Sequence, residues 1–428
     1  MRKLVLIAGA ALVAQACTEN LDAGRACPAF CPNPRVTIAD TVIPGVLFDA
    51  TVLTPLFPGE EGMTSVARRN DGGIDLRAVA RFDTLVDFFN VRRNGADVLD
   101  TVRVVTDARL ALQVSDSTYR ATTDSITFAV YNVDTSGVAD TAVAPVAALF
   151  RPDRLVGTRR AGRGQMTDTS FTIPISDTLV NGALARSGRV RLGVRIQSGG
   201  DVHMGILRNM ALRARPVTRV AGDSLKDSVA TFGQSSLSPR DDGRIAGPLS
   251  QYTLVVKGTD APPAGVISAT TFPQRRAYLR FEIPRKLVDS TQILRATLRL
   301  TQLPSPVAFP NDTADLYLLV GLARATITDT ARASLITESI TAGRGAITGE
   351  FGRRVSSSGS GLRLYEIVPQ LRAWRGTDPG DEPYAIILRV EPIWVAVQDI
   401  RFASTESGPA TRPTLQITYV PTLTTPTP

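Results

Sequence analysis

The chain is poor in the side chains that most enzymes and metal sites use. Among 428 residues it has one histidine, three cysteines, two tryptophans and only 6% aromatic residues. A single histidine, His203, excludes metal sites built from several histidines and catalytic pairs of histidines. No Gly-x-Ser-x-Gly sequence is present to place a serine nucleophile beside it. We therefore assign no catalytic residue and no cofactor.

Lysine is scarce as well. The chain carries 48 lysine and arginine residues against 40 acidic ones, a formal net charge of +8, yet only four of the 48 are lysines. The basic residues are scattered and form no stripe interleaved with aromatic residues, which is the pattern typical of nucleic-acid binding. The positive net charge therefore does not predict a nucleic-acid partner.

Long hydrophobic runs are absent after residue 17, because none approaches the roughly 20 residues that a membrane-spanning helix needs. The first residues instead follow the plan of an export signal. The positive charges of residues 2–3 precede a short apolar stretch, and Ala14 and Ala16 offer small side chains to a signal peptidase. Cys17 follows directly, where bacterial lipoproteins are cleaved and acylated. We expect residues 1–16 to be a signal peptide and Cys17 to carry lipid; simple cleavage before Cys17 is the alternative.

Residues 17–35 are a polar tether that contains proline and glycine. Cys27 and Cys31 stand close together in it, and an exported chain can oxidise such a pair to a small disulfide loop. Cys17 is then left unpaired, as expected for an acylated residue. A lipid at Cys17 would attach the chain to the outer membrane or cell surface; a periplasmic or secreted location is the alternative.

From residue 36 onward, short stretches alternate apolar and polar residues between turn residues. The clearest are residues 108–114, 126–130, 190–196, 296–300 and 415–419. Such period-2 stretches predict the strands of sandwiches or barrels. Only residues 177–184 and 368–374 have a helical pattern, of one or two turns. We predict an all-β fold of two tandem jelly-roll-like β-sandwich domains with very little helix.

The two halves resemble one another in the order of their elements. Ala80-Arg81-Phe82 opens a stretch that leads to the strand at 108–114, and Leu279-Arg280-Phe281 opens one that leads to the strand at 296–300. Each half then has a hydrophobic strand and a short helical turn. We interpret this order as a degenerate tandem repeat. The predicted domains are a first β-sandwich at 36–217 and a second at 218–421, followed by a disordered tail at 422–428.

The second half resembles the DNRLRE domain family over roughly residues 220–421. The similar stretches are residues 276–282, residues 292–300, the helical segment that ends at Trp374, and the last two strands at 402–406 and 412–419. The resemblance implies a jelly-roll-like β-sandwich on a secreted or cell-surface bacterial or archaeal protein, with Trp374 buried. It also implies kinship with carbohydrate-binding modules for acidic polysaccharides. The first half has no counterpart of Trp374.

Candidate ligand-binding residues are few. Trp394 is the better of the two tryptophans as a stacking platform for a sugar, although its apolar neighbours also suit a core position. Arginine doublets, among them Arg275-Arg276 and Arg353-Arg354, lie in or beside predicted loops. A guanidinium group pairs with a carboxylate, such as that of a uronic acid, through two hydrogen bonds. A chain so rich in arginine also contains doublets by chance.

Two stretches with Asp and Gly, residues 70–75 and 240–243, have the oxygen-rich character of calcium loops. Both also have Asp and Gly where ordinary β-turns use them, and we favour that interpretation. We predict no metal site, and calcium only as a structural ligand of these loops.

These observations predict a non-catalytic, exported surface protein, lipid-anchored at Cys17, that binds polysaccharide weakly; an acidic polysaccharide is a candidate ligand. The first alternative is a structural or adhesive envelope protein that contacts other proteins. The second is a polysaccharide-degrading enzyme whose two carboxylates are distant in sequence.

Overall fold

The computed structural model describes residues 37–54, 63–82, 88–134, 142–186, 188–197, 200–226, 229–232, 251–307, 309, 317–323, 325–341, 347–375, 384–391 and 397–421. The predicted all-β class is confirmed: 53% of the fold is strand and 15% helix, and antiparallel sheets curl into half-barrels as in β-sandwiches. The signal peptide, the tether with Cys17, Cys27 and Cys31, the 240–243 stretch, Trp394 and the 422–428 tail lie outside the described residues.

One contiguous part of the chain, which we call the inserted unit, builds the first sandwich. Its strands are β3 (Met63–Arg68), β4 (Asp75–Phe82), β5 (Phe88–Arg93), β6 (Ala96–Thr101), β7 (Val105–Ala111), β8 (Arg120–Ala121), β9 (Ser125–Asn132), β10 (Leu155–Gly162), β11 (Thr172–Pro174), β12 (Val190–Gln197), β13 (Val202–Leu207), β14 (Ala211–Pro216), β15 (Ser224–Leu225), β16 (Ala230–Phe232) and β17 (Gln251–Lys257). An eight-stranded and a four-stranded sheet share one core. The first has the order β10-β9-β12-β4-β3-β13-β8, with β17 also paired to β4, and the second has the order β11-β7-β14-β16. The ribbon β15-β5-β6 adds further apolar residues to that core.

The second sandwich, which we call the split unit, combines two strands from before the inserted unit with nine strands from after it. They are β1 (Ala39–Ile43), β2 (Val46–Leu53), β18 (Val266–Thr271), β19 (Gln274–Phe281), β20 (Thr291–Leu303), β21 (Tyr317–Ala323), β22 (Ile347–Arg354), β23 (Gly361–Glu366), β24 (Ala385–Glu391), β25 (Asp399–Ala403) and β26 (Thr414–Pro421). They form one sheet in the order β1-β26-β20-β25-β18-β19-β24-β21-β22, with β2 on β19 and β23 on β20. This sheet folds around a second core.

The period-2 pattern decides which face of each strand enters a core. In β26, Leu415 and Ile417 are fully buried, whereas Gln416 and Thr418 lie on the opposite, partly exposed face. Burial of the apolar face removes it from water and stabilises the sandwich by roughly 25 cal/mol for each Å². The alternation seen in the sequence therefore translates directly into an inner and an outer face.

Six short α-helices occur within the described ranges: α1 (Val143–Ala147), α2 (Arg163–Met166), α3 (Asp177–Ala185), α4 (Arg285–Asp289), α5 (Thr330–Thr341) and α6 (Val368–Trp374). Helices α3 and α6 coincide with the two predicted helical segments. Helix α5 is the longest and is not among the predicted helical segments. Its Ala333, Ile336 and Ile340 recur at helical spacing and pack on the outer face of β2 and β19. At its start, the carboxylate of Asp329 accepts a hydrogen bond from the N–H of Arg332 at 2.8 Å.

The two units follow one strand plan. The hairpin β3–β4 corresponds to β18–β19, since β4 pairs with β12 and β17 while β19 pairs with β24 and β2. Likewise β14 pairs with β7 and β16, while β26 pairs with β20 and β1. The consecutive strands β16 and β17 therefore have the same places in the inserted unit that β1 and β2 have in the split unit.

We call β2 of the split unit and β17 of the inserted unit the added strands. They make the same contact at matched positions. In β2, Thr51 lies opposite an alanine of β19, and its Oγ1 accepts the N–H of Ser268 in β18 at 2.8 Å. In β17, Thr253 lies opposite an alanine of β4, and its Oγ1 accepts the N–H of Ser65 in β3 at 2.9 Å. In each unit, one threonine of the added strand thus links the two strands of the hairpin where they diverge.

This pairing corrects the predicted domain boundary between residues 217 and 218. Strands within 39–53 belong to the second sandwich and strands within 224–257 to the first, so the inserted unit runs from 63 to 257. Alternating apolar residues indicate which face of a strand is buried. They do not indicate which edge strand it joins, and the exchange is therefore not visible in the sequence.

The two units meet at a small apolar cluster formed by Ala67, Ile74, Leu76, Phe272, Phe309 and Val397. The chain passes from one unit to the other twice, between β2 and β3 and between β17 and β18. Both of these chain crossings lie beside Phe272 of this cluster. The N–H of Thr54 donates to the carbonyl of Gln274 at 2.8 Å, and the N–H of Thr259 donates to the carbonyl of Phe272 at 2.8 Å. A Cβ on Gly258 would lie 2.4 Å from that carbonyl oxygen, so the second crossing requires glycine.

His203 lies within β13 and contacts this interface. Its ring is 1% exposed and meets the ring of Phe309 edge-on, with 6.0 Å between centroids. Burial lowers the pKa of His203 to about 3, a shift that the backbone of Thr118 opposes and the charge of Arg120 reinforces. The buried imidazole is neutral near pH 7 and is not an accessible catalytic base.

Replacing either linking threonine, Thr51→Val or Thr253→Val, is expected to destabilise the protein to a similar extent. Each change removes the acceptor of one buried backbone N–H, which costs about 1–3 kcal/mol in the free energy of unfolding. Urea denaturation followed by circular dichroism measures the loss. Thr231→Val, at an exposed position of β16, is the control and should change stability by less than about 0.5 kcal/mol. A loss at only one of the two threonines would contradict their equivalence.

Replacing the buried histidine, His203→Leu, is expected to make stability less sensitive to acid. Its pKa of about 3 lies below the ordinary value of 6.5, so the unfolded chain binds the proton more readily than the folded one. The neutral ring therefore favours the folded state most above pH 6.5, and this contribution is lost as the pH falls toward 3. Melting temperatures measured from pH 7.5 to 3.5 should fall faster for the parent than for the variant. Equal slopes would contradict a neutral, buried His203.

Candidate ligand-binding site

A polar pocket of about 300 Å³ opens in the split unit beside the second chain crossing. We call it the crossover pocket. It lies between β2, the loop that joins β17 to β18, the start of β19, and the turn after β25. Its lining includes Asp49, Pro262, Pro263, Arg275, Ser404 and Glu406.

The loop between β17 and β18 is fixed to the turn after β25. Pro262 and Pro263 restrict its backbone, and Gly265 has the positive φ of +77° that favours glycine. The N–H of Gly265 donates to Glu406 Oε2 at 3.1 Å, and its carbonyl accepts the N–H of Ser404 at 2.9 Å. These bonds hold both walls together, so the pocket is formed without a ligand.

The two carboxylates of the pocket each use one oxygen to hold a wall. Asp49 Oδ2 accepts the N–H of Thr405 at 2.7 Å, and Glu406 Oε2 accepts the N–H of Gly265. Asp49 Oδ1 and Glu406 Oε1 make no hydrogen bond to any residue that the structure describes. Each carboxylate is thus oriented by the protein and keeps an oxygen for a ligand.

Arg275 is held in a similar way. Its Nη1 donates to the carbonyl of Thr259 at 2.9 Å, to the hydroxyl of Thr259 at 3.0 Å and to the carbonyl of Asp260 at 3.1 Å. Partial burial lowers the pKa of Arg275, an effect that the charges of Asp399 and Asp260 oppose and that of Arg401 adds to. An arginine nevertheless stays protonated in proteins. Its Nε and Nη2 make no hydrogen bond within the described ranges and can serve a ligand.

The other predicted arginines lie elsewhere. Arg276 follows Arg275 in β19 but is on the opposite face, where it is 5% exposed beside Tyr278, and burial lowers its pKa. This corrects its assignment as a ligand-binding residue, because alternate residues of a strand face opposite ways. Arg353 and Arg354 are exposed at the end of β22, three strands from β19. That separation is about 14 Å at the usual strand spacing, so the doublets do not form one site.

The two carboxylates were not predicted from the sequence. Asp49 and Glu406 are separated by more than 350 residues, and each stands among strand or turn residues of ordinary composition. The Pro-Pro-Ala-Gly stretch at 262–265, close before Arg275, is the one local indication of a shaped loop there. Asp49 reaches the pocket because β2 pairs with β19 in the split unit.

Trp374, which the resemblance implies to be buried, is 1% exposed in the core of the split unit. The guanidinium of Arg285 lies over its ring at 5.0 Å from the centroid. A cation over a buried indole stabilises the packing of α6 against α4. Trp374 is therefore structural and offers no stacking platform to a sugar.

The predicted loop at 70–75 forms the tight turn between β3 and β4. Gly72 has a φ of +70°, and its N–H donates to the carbonyl of Arg69 at 3.1 Å. The carboxylate of Asp71 pairs with Arg69 at 2.8 Å and accepts the N–H of Gly73 at 2.7 Å. Across the described ranges, no three His, Cys, Asp or Glu residues come together as a metal site. None of the described helices is long and apolar enough to span a membrane.

Comparison with known proteins gives no family for this chain. No protein-family model matches it, and no curated protein matches it. Six chains of solved structures match. Two of them are a structure of the infectious bursal disease virus Gt strain and the infectious bursal disease virus VP2 subviral particle. The first is 8% identical with a TM-score of 0.13, covering 93% of this chain and 79% of that one. The second is 10% identical with a TM-score of 0.10, covering 90% and 76%. At these scores the likeness carries no argument about function, and the resemblance to the DNRLRE family stays a prediction.

Proposed function

We propose that this chain is an exported, lipid-anchored surface protein that binds polysaccharide weakly, without catalysis, through the crossover pocket. The supporting observation is the arrangement of Asp49, Arg275 and Glu406. Each has one polar atom held by the pocket wall and another that no described residue engages. Preformed pockets with a few oriented polar groups are typical of small-ligand sites. The modest pocket volume suits one sugar residue of a chain, which is consistent with weak binding.

The charges of the pocket indicate which sugars it takes. Two carboxylates and one guanidinium leave it with net negative charge, which disfavours a uronate. Carboxylate oxygens accept hydrogen bonds from sugar hydroxyls, and Arg275 donates to sugar oxygens. The rings of Pro262 and Pro263 offer an apolar surface to the C–H face of a sugar. We therefore propose neutral, hydroxyl-rich polysaccharides as the preferred ligands, in place of the acidic ones expected from the arginine doublets.

Removing the guanidinium, Arg275→Ala, is expected to weaken binding of a neutral polysaccharide by roughly tenfold to a hundredfold, the usual effect of losing a charged hydrogen-bond partner. Affinity gel electrophoresis of the full chain against neutral and acidic polymers measures this. Arg353→Ala, on exposed β22, is the matched control and should leave binding unchanged. Equal binding by the parent and Arg275→Ala would exclude the crossover pocket as the site.

A second variant tests the ligand class. Glu406→Gln keeps an acceptor for the N–H of Gly265 but removes one negative charge. It should weaken neutral binding and improve retention by a polyuronate at low salt. No retention of the parent by any polymer would exclude polysaccharide binding altogether. Sugar release that Asp49→Asn abolishes would instead indicate a hydrolase, since Asp49 and Glu406 both line the pocket.

A structural or adhesive role is the second candidate, and one surface favours it. Leu362 and Leu364 are 51% and 44% exposed on the same face of β23, whose single described partner is β20. Exposed neighbouring leucines on an edge strand are typical of protein contact. If the chain binds no polysaccharide and Leu364→Ser abolishes its co-purification with an envelope protein, this second role is the correct one.

The proposed anchor predicts that Cys17→Ser abolishes incorporation of labelled palmitate and moves the protein from the detergent phase to the aqueous phase. The reason is that Cys17 would be the acylated residue after signal cleavage. Cys27→Ser is the control and should keep the label. Labelling that survives Cys17→Ser, or no labelling of the parent, would contradict the anchor.

A further inference from the structure

A cluster of buried polar side chains lies where the loop between β22 and β23 meets the start of β25. Ser357, from that loop, donates its hydroxyl hydrogen to the side-chain carbonyl oxygen of Gln398, which directly precedes β25. Both residues are 1% exposed. A hydroxyl group and a carboxamide, which can react with each other, are therefore held in contact and away from bulk water.

The backbone that carries each of the two side chains is fixed. The N–H of Gln398 donates to Thr271 Oγ1 at 2.8 Å, and its backbone carbonyl accepts the N–H of Thr271 at 3.1 Å. The backbone carbonyl of Ser357 accepts the N–H of Ser305 at 2.8 Å. Groups held in contact in this way react far faster than the same groups free in solution, because the entropy of bringing them together has already been lost.

A buried carboxylate in the same cluster can accept the proton of the hydroxyl. Asp399 Oδ2 accepts the hydroxyl of Ser305 at 2.7 Å and Nε of Arg401 at 2.6 Å. Asp399 Oδ1 is buried too, yet no described residue donates to it, and buried acceptors without a donor are rare. The N–H of Asp399 donates to Ser357 Oγ at 3.1 Å, so the hydroxyl and the carboxylate belong to one network. An adjacent base of this kind is what activates a serine hydroxyl.

From this arrangement we propose that Ser357 and Gln398 join in an ester cross-link. Oγ of Ser357 attacks Cδ of Gln398, and the bond between Cδ and Nε2 breaks. The hydroxyl proton passes to Asp399 Oδ1 and from there to the leaving nitrogen. One ester and one molecule of ammonia form, and no oxidant or other reactant is required. The surrounding core excludes the water that would hydrolyse the ester.

The cross-link strengthens a part of the split unit that has few neighbouring strands. Among the described strands, β22 pairs with β21 alone and β23 with β20 alone. All three cysteines of the chain precede residue 36, so no disulfide can join the strands of either sandwich. An ester between the loop that joins β22 to β23 and the start of β25 holds both edge strands against the sheet. A covalent cross-link stabilises a fold by restricting the unfolded chain.

Mass spectrometry of the purified full chain, compared with Ser357→Ala prepared in the same way, tests the proposal. Ester formation lowers the mass by about 17 Da, the mass of the ammonia released. Trypsin should then yield residues 355–363 joined to residues 390–401, because arginine precedes and ends each of these peptides. Hydroxylamine cleaves esters under conditions that leave amides intact, and it should separate the two peptides.

Variants identify the reacting groups. Ser357→Ala removes the nucleophile and should show no loss of ammonia and two separate peptides. Ser358→Ala, at the exposed neighbouring serine, is the matched control and should keep the cross-link. Asp399→Asn, checked for folding by circular dichroism, should leave most of the chain unlinked.

Two results would overturn the cross-link. The first is a parent chain of full mass whose two peptides always separate, which would reduce the contact to a hydrogen bond. The second is a loss of ammonia that persists in Ser357→Ala, which would place the reaction elsewhere in the chain. These two results decide on the cross-link whether or not Asp399→Asn folds, and complete linkage in folded Asp399→Asn would exclude Asp399 as the base.

Discussion

Both sandwiches depend on main-chain hydrogen bonding along one added strand: β2 along β19 in the split unit and β17 along β4 in the inserted unit. Each added strand lies beside a hairpin, β18–β19 or β3–β4, whose two strands diverge within one sheet. The threonine contacts to Ser268 and Ser65 hold the hairpin strands at that divergence. The cores, the covering helices and the interface between the units are arranged around these two strands.

The crossover pocket is a consequence of the same arrangement. At the position of Asp49, the inserted unit has Gln251, whose amide donates to the carbonyl of Leu207 at 2.8 Å and accepts the N–H of Met210 at 3.3 Å. Gln251 is 1% exposed, so its side chain is buried and is not accessible to a ligand. In the split unit, the carboxylate at this position holds one wall and leaves an oxygen facing the pocket. One strand plan thus supports a filled site in one unit and an open site in the other.

Sequence periodicity predicted the all-β class because alternate burial is a property of each strand by itself. Helices α3 and α6 were predictable for the same local reason, and α5 carried a usable indication in its spaced apolar residues and Asp329. The domain boundary was not predictable, because edge pairing leaves no mark on the alternation. Of the candidate site, Arg275 was identified from a doublet, while Arg276 was misjudged because the strand turns it to the opposite face. Asp49 and Glu406 meet only in the folded chain, and nothing in their local sequence sets them apart.

The position of β1 has a mechanical consequence. Ala39 at the start of β1 lies opposite Tyr419 near the end of β26, so the proposed tether would attach to the split unit, which also contains the pocket. Tension between a tethered N-terminus and a ligand held in the pocket would run through β1, β2 and their neighbours in one sheet. The inserted unit lies outside that load path. The connection between the proposed anchor and the proposed ligand would therefore not depend on the length, packing or surface of the inserted unit.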